Sequence, residues 1–295
     1  MPTFGLLALG ALLRGALLTQ DAVWAGIEKL IFWVLLPCLI ATALGGAALA
    51  SLPVGTMATA LWAALAVGTV ASIALARALR HTPAAMTSVL QGGIRFNNLM
   101  GFALAGAIWG LPGTALAAVA TGLIVPFVQV TATLAFALKD GGRVRPLRLL
   151  RQVLLNPLII GVLAGFLFSA LGGLPPGLSR MVQVLGQASV ALGLLCVGAA
   201  LTMAGLALRP GSQAATAALK LGAMPGLTWA LCTLLGLAPE PTAIAVLFMA
   251  LPTASTSYVM ARAMGGDAPL MAAITTSQHL LSVLTLPIWV WLLKG

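Results

Sequence analysis

Ten apolar segments, separated by short connections that hold most of the charge, constrain this chain before any motif is read. Splitting at charges and at Gly, Pro and polar clusters places them at about 2–19, 25–45, 54–76, 84–109, 113–138, 153–172, 181–204, 214–236, 241–262 and 269–293. Each is roughly 17–26 residues long, enough to cross ~30 Å of hydrocarbon as a helix. With 61% hydrophobic and 7% charged residues, a chain of 295 residues has too little polar surface to cover a soluble core. The spacing predicts an all-α polytopic membrane protein with ten transmembrane helices.

The formal net charge of +10 lies in short connections, not in a basic run or a patch interleaved with aromatics. It therefore reads as topology-setting charge, and no nucleic-acid partner is expected. The odd-numbered connections hold Arg14, Arg77, Arg80, Lys139, Arg143, Arg145, Arg148, Arg151, Arg209 and Arg262, against Arg180 and Lys294 in the even ones and the C-terminal tail. This bias places the odd connections in the cytoplasm and both termini outside, which is the periplasm for a bacterial inner membrane. Lys220, near the cytoplasmic end of the eighth span, is expected to snorkel. Arg14 shortens the first span, so either it snorkels or the chain starts upstream of Met1. The N-terminus lacks a basic n-region and an A-x-A site, so the first span is read as retained.

Cys38, Cys196 and Cys232 are far apart in apolar segments and read as packing residues. His81 and His279 have no ligand partner at helical spacing, so no metal site and no cofactor are expected. The longest connection falls midway and divides the chain into a first five-helix repeat (1–138), a cytoplasmic linker (139–152) and a second five-helix repeat (153–295). The run Pro2-Thr3-Phe4-Gly5 to Gly10 sets out like Pro157 to Gly165. Five spans per half is odd, so similar halves insert with opposite topology, the inverted-repeat plan of many secondary transporters. Spans 4 and 9 are then equivalents.

Both are interrupted at their centres. Span 4 reads Gln91-Gly92-Gly93-Ile94-Arg95-Phe96-Asn97-Asn98, where the glycine pair disfavours continuous helix and Asn competes for backbone hydrogen bonds. A central Arg costs ~2.5–3.5 kcal/mol on the insertion scale unless it faces a cavity. The five acids, Asp21, Glu28, Asp140, Glu240 and Asp267, all fall at or near span ends, so Arg95 has no evident intramembrane counter-ion. A planar, permanently charged fork without a partner suits a carboxylate ligand, with Asn97 and Asn98 as hydrogen-bonding neighbours. Span 9 reads Leu251-Pro252-Thr253-Ala254-Ser255-Thr256-Ser257. Pro252 removes a donor and frees carbonyls, and the hydroxyls of Thr253, Ser255, Thr256 and Ser257 re-satisfy backbone or hold substrate. Pro37, Gln129, Gln278 and His279 are further candidates for the cavity or for coupling. No nucleophile elbow, phosphate loop, paired carboxylate or Ser/His/Asp set occurs, so no enzyme is expected.

Gly92-Gly93-Ile94-Arg95-Phe96-Asn97-Asn98 resembles the G-x-x-R-x-N element of the auxin efflux carrier family. Met249-Ala250-Leu251-Pro252-Thr253-Ala254 with Tyr258-Val259-Met260-Ala261 resembles its ninth-span signature. Phe32-Trp33-Val34-Leu35-Leu36-Pro37 and Thr285-Leu286-Pro287 fit the same pattern. The resemblance covers essentially the whole chain. It implies a ten-span inverted-repeat fold in which spans 4 and 9 cross at the substrate site. Spans 1, 2, 6 and 7 would form a scaffold, and the other six an elevator-like transport domain. Members carry organic anions: auxin in plants, and malate, malonate or similar carboxylates in bacteria. Two departures stand out. The long cytoplasmic loop of plant carriers is reduced here to Lys139–Arg151, and Gln278-His279 replaces the small hydroxyl residues usual at that point.

The expected function is transport of small carboxylates by alternating access. The expected partners are the anion, the lipid bilayer, a coupling proton or sodium ion, and a second copy of the chain in a homodimer. The alternatives are a sodium-coupled bile-acid-type symporter and, further off, a non-transporting membrane receptor.

Overall fold

The computed structural model describes residues 2–47, 52–139, 141, 146–200, 206–254 and 256–294. Regular structure among them is helical throughout. In chain order the helices are α1 (Pro2–Ala16), α2 (Asp21–Leu30), α3 (Leu36–Gly45), α4 (Val54–Ala78), α5 (Pro83–Ile94), α6 (Asn98–Lys139) and α7 (Pro146–Leu154). They continue as α8 (Pro157–Ala170), α9 (Pro176–Ala199), α10 (Pro210–Ala218), α11 (Met224–Leu234), α12 (Pro239–Ala250), α13 (Thr256–Ala263) and α14 (Ala268–Lys294). α2 runs into α3 through a π turn at Ile31–Leu35, and α10 into α11 through another at Leu219–Ala223. Each π turn is followed, after one residue, by a proline, Pro37 or Pro225, and widens the backbone where the proline ring would meet the preceding carbonyl. α6 folds back at Gly110, whose φ of 63° and ψ of −145° are open to glycine, so 98–109 and 111–139 are separate helices.

Among the described residues, six helical stretches are long and apolar enough to cross a membrane: Asp21–Gly45, Val54–Ala78, Pro83–Lys139 (which includes the breaks at Arg95–Asn97 and Gly110), Gly177–Ala199, Pro210–Leu234 and Ala268–Lys294. Three shorter apolar helices accompany them. Proline occupies the first position of α1, α5, α7, α8, α9, α10 and α12, where its missing N–H costs nothing and its fixed φ suits the first turn. Side-chain caps assist two of these starts. Thr82 Oγ1 accepts from Ala85 N at 3.3 Å, and Asn156 Oδ1 from Leu158 N at 2.9 Å. Across the end of the expected linker and into the second repeat, α7 carries Leu147, Leu150 and Leu154, all exposed, at the spacing of one helical face. An amphipathic helix of this kind lies in the plane of a membrane interface.

The chain divides into two compact units, each drawing segments from both sequence halves. The first comprises 1–54, 98–125 and 151–200. In it α1 packs on α9, and α3 packs on both α8 and α9. Small residues let these backbones touch. A Cβ on Gly161 would sit 2.9 Å from the Cα of Pro37, and one on Gly165 would sit 3.2 Å from the Cα of Ala41. The Gly-x-x-x-Gly pair of α8 is thus the seat for the start of α3, and Pro37 is part of that contact.

The second unit comprises 55–97, 126–150 and 201–295. Its centre is α12, buried at every position from Pro241 to Ala250 and packed on α11 and α14. A helix that is apolar all round belongs inside a bundle, not on its rim. The π turn at Leu219–Ala223 packs against α5, α12 and α14. Lys220, within that turn, is 0% exposed, and its Nζ has no hydrogen-bond partner among the described residues. The snorkelling expected for it is therefore corrected, because the turn directs the side chain into the bundle. A lone buried amine is a stability cost that an apolar residue of similar length avoids. Lys220→Met should raise resistance to unfolding by about 1–4 kcal/mol, read from equilibrium denaturation in mixed micelles. An unchanged or lower midpoint counts against a partnerless amine.

Candidate functional site

α5 does not break at its glycines. It continues through Gly92-Gly93 to Ile94, and Arg95 is the first extended residue (φ −77°, ψ 162°). The glycines serve close approach: a Cβ on Gly92 would lie 2.7 Å from Ile274 Cγ2 and 2.8 Å from Thr216 Cγ2. Regular helix resumes at Asn98. α12 ends in the same way, with Leu251 extended (φ −65°, ψ 144°) and α13 starting at Thr256. Pro252, whose preceding residue is pushed out of helical conformation, explains the stop.

The two breaks meet inside the second unit. Asn97 N donates to Pro252 O at 2.8 Å. Thr253 Oγ1 donates to Gln91 O at 3.2 Å and lies 3.3 Å from Ser257 Oγ. Gln278, fully buried on α14, closes the arrangement from both sides. Its Nε2 donates to Gly92 O at 2.9 Å, and its Oε1 accepts from Thr253 N at 2.9 Å. One amide thus caps a freed carbonyl of α5 and a freed N–H after α12. His279 stands beside it, with Nε2 3.0 Å from Asn97 Nδ2 and Nδ1 2.8 Å from Thr275 O. The tautomer with the proton on Nδ1 satisfies both contacts. Phe96 packs on Phe248 of α12 with ring centroids 5.6 Å apart.

Arg95 is half-buried at the edge of this junction. NH1 donates to Gln91 Oε1 at 3.3 Å and to Met260 Sδ at 3.0 Å, and NH2 donates to Thr256 Oγ1 at 3.2 Å. All three acceptors are neutral, and no described carboxylate pairs with the guanidinium. Gln91 Nε2, on the residue that receives Arg95, is buried without a hydrogen-bond partner. Thr256 opens α13, so the guanidinium stands at the positive end of that helix. The local field is positive and short of acceptors.

The other sequence candidates are placed differently. Asn98 belongs to the first compact unit, where its Oδ1 accepts from Thr121 Oγ1 at 2.8 Å. Pro37 belongs there too, against Gly161. Gln129 is half-buried on α6 and takes no part in the junction's hydrogen bonds. Ser255 lies outside the described residues. Sequence reasoning missed two partners of Arg95. Gln91 precedes it by one helical turn and was open to an i, i+4 argument. Met260 stood in the ninth-span signature, but nothing in the sequence linked it to Arg95.

No curated protein matches the chain closely enough to count as a relative. Residues 143–290 match the model of the family described as membrane transport protein. That span is half of the chain and includes Pro252, Thr253, Gln278 and His279. It fits the resemblance to auxin efflux carriers read from spans 4 and 9, and it accords with the apolar helices of a multi-pass membrane protein. The chain belongs to the membrane transport protein family.

Proposed function

We propose that this transporter is a secondary carrier of small organic anions, carboxylates of the malate and malonate kind, working by elevator-type alternating access. The observation that carries the reading is the pairing of Arg95 with neutral acceptors only, beside the orphaned Nε2 of Gln91. Both are donors, and a carboxylate supplies the acceptors they lack. Three carbonyls at the breaks, those of Gln91, Gly92 and Pro252, are already engaged by Thr253, Gln278 and Asn97. In this role Arg95 orients the anion, with Asn97, Thr253 and the segment through Pro252 and Ser255 framing it. Gln129, in the same unit as the junction, would line the path.

The ten spans of this reading are α1; α2 with α3; α4; α5 with 98–109; 111–139; α8; α9; α10 with α11; α12 with α13; and α14. The halves 1–138 and 153–295 form an inverted repeat about the linker 139–152, which puts the breaks in equivalent spans. The junction lies within a single compact unit, as an elevator requires of a site carried by one moving body. The membrane is the inner membrane of a bacterium, with both termini periplasmic, as the loop charges favour. A membrane potential of 100 mV, inside negative, favours export of each negative charge by ~2.3 kcal/mol, roughly fifty-fold. Export of a monoanion then needs no coupling ion, whereas uptake needs a proton or sodium.

Counterflow in proteoliposomes tests the proposal, with a panel of mono- and dicarboxylates on the trans side at fixed pH and sodium gradients. Trans-acceleration by at least one small carboxylate is expected. Failure of every carboxylate to exchange would overturn the reading.

A further inference from the structure

A second basic site lies at the opposite end of α5 from the junction, about 18 Å away along the 12 residues of that helix. The connection between α4 and α5 and the start of α10 form an open, solvent-facing cavity of about 380 Å³ there, within the second unit. Arg80, His81, Thr82, Arg209, Gly211 and Ser212 line it. Arg80 and Arg209 are the two non-glycine residues, among those described, with left-handed backbone, at φ of 53° and 48°. That conformation costs an L-residue ~1–2 kcal/mol. Both arginines that bear the cost face one cavity.

His81 Nε2 lies 2.9 Å from Ser212 Oγ and ties the two segments together across the floor. Arg209 NH1 pairs with Asp267 Oδ2 at 3.0 Å, while Asp267 Oδ1 accepts from Leu270 N at the start of α14. No described carboxylate pairs with Arg80. The charged groups acting on His81 are Arg209 at the head of α10 and Asp267 before α14, and Arg80 lines the same cavity. α5 contributes none. Burial first, and then Arg209, hold the His81 imidazole below its ordinary pKa, against the opposing pull of Asp267. The helices α5 and α10 both start at the cavity and add the positive ends of their dipoles.

We propose that this cavity binds a phosphate group, from a lipid headgroup or from free phosphate. The Arg80 fork, the Arg209 N–H groups left beside its Asp267 bond, an imidazole and hydroxyls at its rim match an oxyanion with several acceptor oxygens. Its place in two odd-numbered connections, at the ends of spans, is the depth of the headgroup layer on the side those connections face. The site shares no residue with the carboxylate junction, and the proposal stands whether or not the carboxylate reading holds.

The chain has two histidines, so protein labelled with ¹³C-histidine gives two ring signals, with His279 as the internal reference. The His81 titration is followed in phosphatidylcholine nanodiscs without and with inorganic phosphate, at constant ionic strength, and in nanodiscs containing phosphatidylglycerol. The starting midpoint lies below the ordinary histidine value. A bound anion should raise it by roughly 1 unit, the low end of what a neighbouring opposite charge produces. Binding should correspondingly tighten as the pH falls through the His81 midpoint. A rise with phosphate alone identifies a soluble ligand, and a rise with phosphatidylglycerol alone identifies a lipid headgroup. Arg80→Gln, which breaks no ion pair among the described residues, should reduce the rise, and R80Q/R209Q should abolish it. The proposal is overturned by an unmoved midpoint in both arms, or by a rise that persists in the double variant.

Discussion

Replacing Arg95 by Gln should reduce carboxylate counterflow by roughly 10²–10⁴-fold while the protein still inserts and folds. The size follows from removing one member of a part-buried charge pair, which costs about 3–5 kcal/mol when its partner charge is the bound anion. Folding should survive because the guanidinium's bonds all go to neutral acceptors, and those to Thr256 and Met260 are not the only links between the two broken spans. The junction holds itself together through Asn97, Thr253 and Gln278. Arg95→Lys is the informative companion. It keeps the positive charge but loses the planar fork, so it should fall between the wild type and Arg95→Gln. Transport rates in proteoliposomes, normalised to folded protein by size-exclusion and circular dichroism, give the comparison. Equal rates for all three would remove Arg95 from the site.

Gln278→Leu should produce the opposite pattern, a loss of stability before any loss of binding chemistry. The leucine leaves Gly92 O and Thr253 N without their partner inside a buried junction. Each orphaned backbone group costs about 1–3 kcal/mol, so the variant should be about 2–6 kcal/mol less stable. Gln278→Glu separates the two halves of the clip. Its carboxylate still accepts from Thr253 N but has no N–H for Gly92 O, and it brings a buried negative charge into the junction. It should therefore be no more stable than the leucine variant. Equilibrium unfolding in mixed micelles measures both, and a loss below 1 kcal/mol for Gln278→Leu would show that the clip carries little of the junction.

The all-helical fold and its place in a membrane were legible in the sequence, because apolar length alone decides what can cross a bilayer. Helix starts were read less well. The seventh and eighth spans were set to begin at 181 and 214, whereas their helices α9 and α10 begin at Pro176 and Pro210. Charge and polarity mark where a segment leaves the hydrocarbon, but proline at the first helical position marks where the helix begins, and the two differ by about one turn. The interruptions in spans 4 and 9 were found from composition, yet the cause assigned to one was wrong in detail. Gly92-Gly93 stays helical and makes room for Ile274 and Thr216, and the break follows at Arg95.

The division of labour among polar residues was the least legible part. Gln278 and His279 stood out only as polar residues in an apolar helix, and their spacing from position 92 or 253 says nothing of contact. Adjacent residues also parted: Asn97 joins the junction of the second unit, and Asn98 bonds Thr121 in the first. A neighbour pair in sequence was expected to act as one group, and the end of the broken segment falls between them. Lys220 shows the same limit. Position near a span end suggested a route to water, but a π turn rotates the side chain inward, and π turns have no sequence period to read.

The clip made by Gln278 also sets an order of events during synthesis. The carbonyl of Gly92 emerges from the ribosome 186 residues before the amide that caps it. At 5–20 residues per second that interval is on the order of 10–40 s, during which the fourth span sits in or beside the bilayer with its break unfinished. The nascent first half must spend that time either as an unbroken helix that later opens, or sheltered by the insertion machinery. A ribosome stalled before residue 278 would hold the chain in that state.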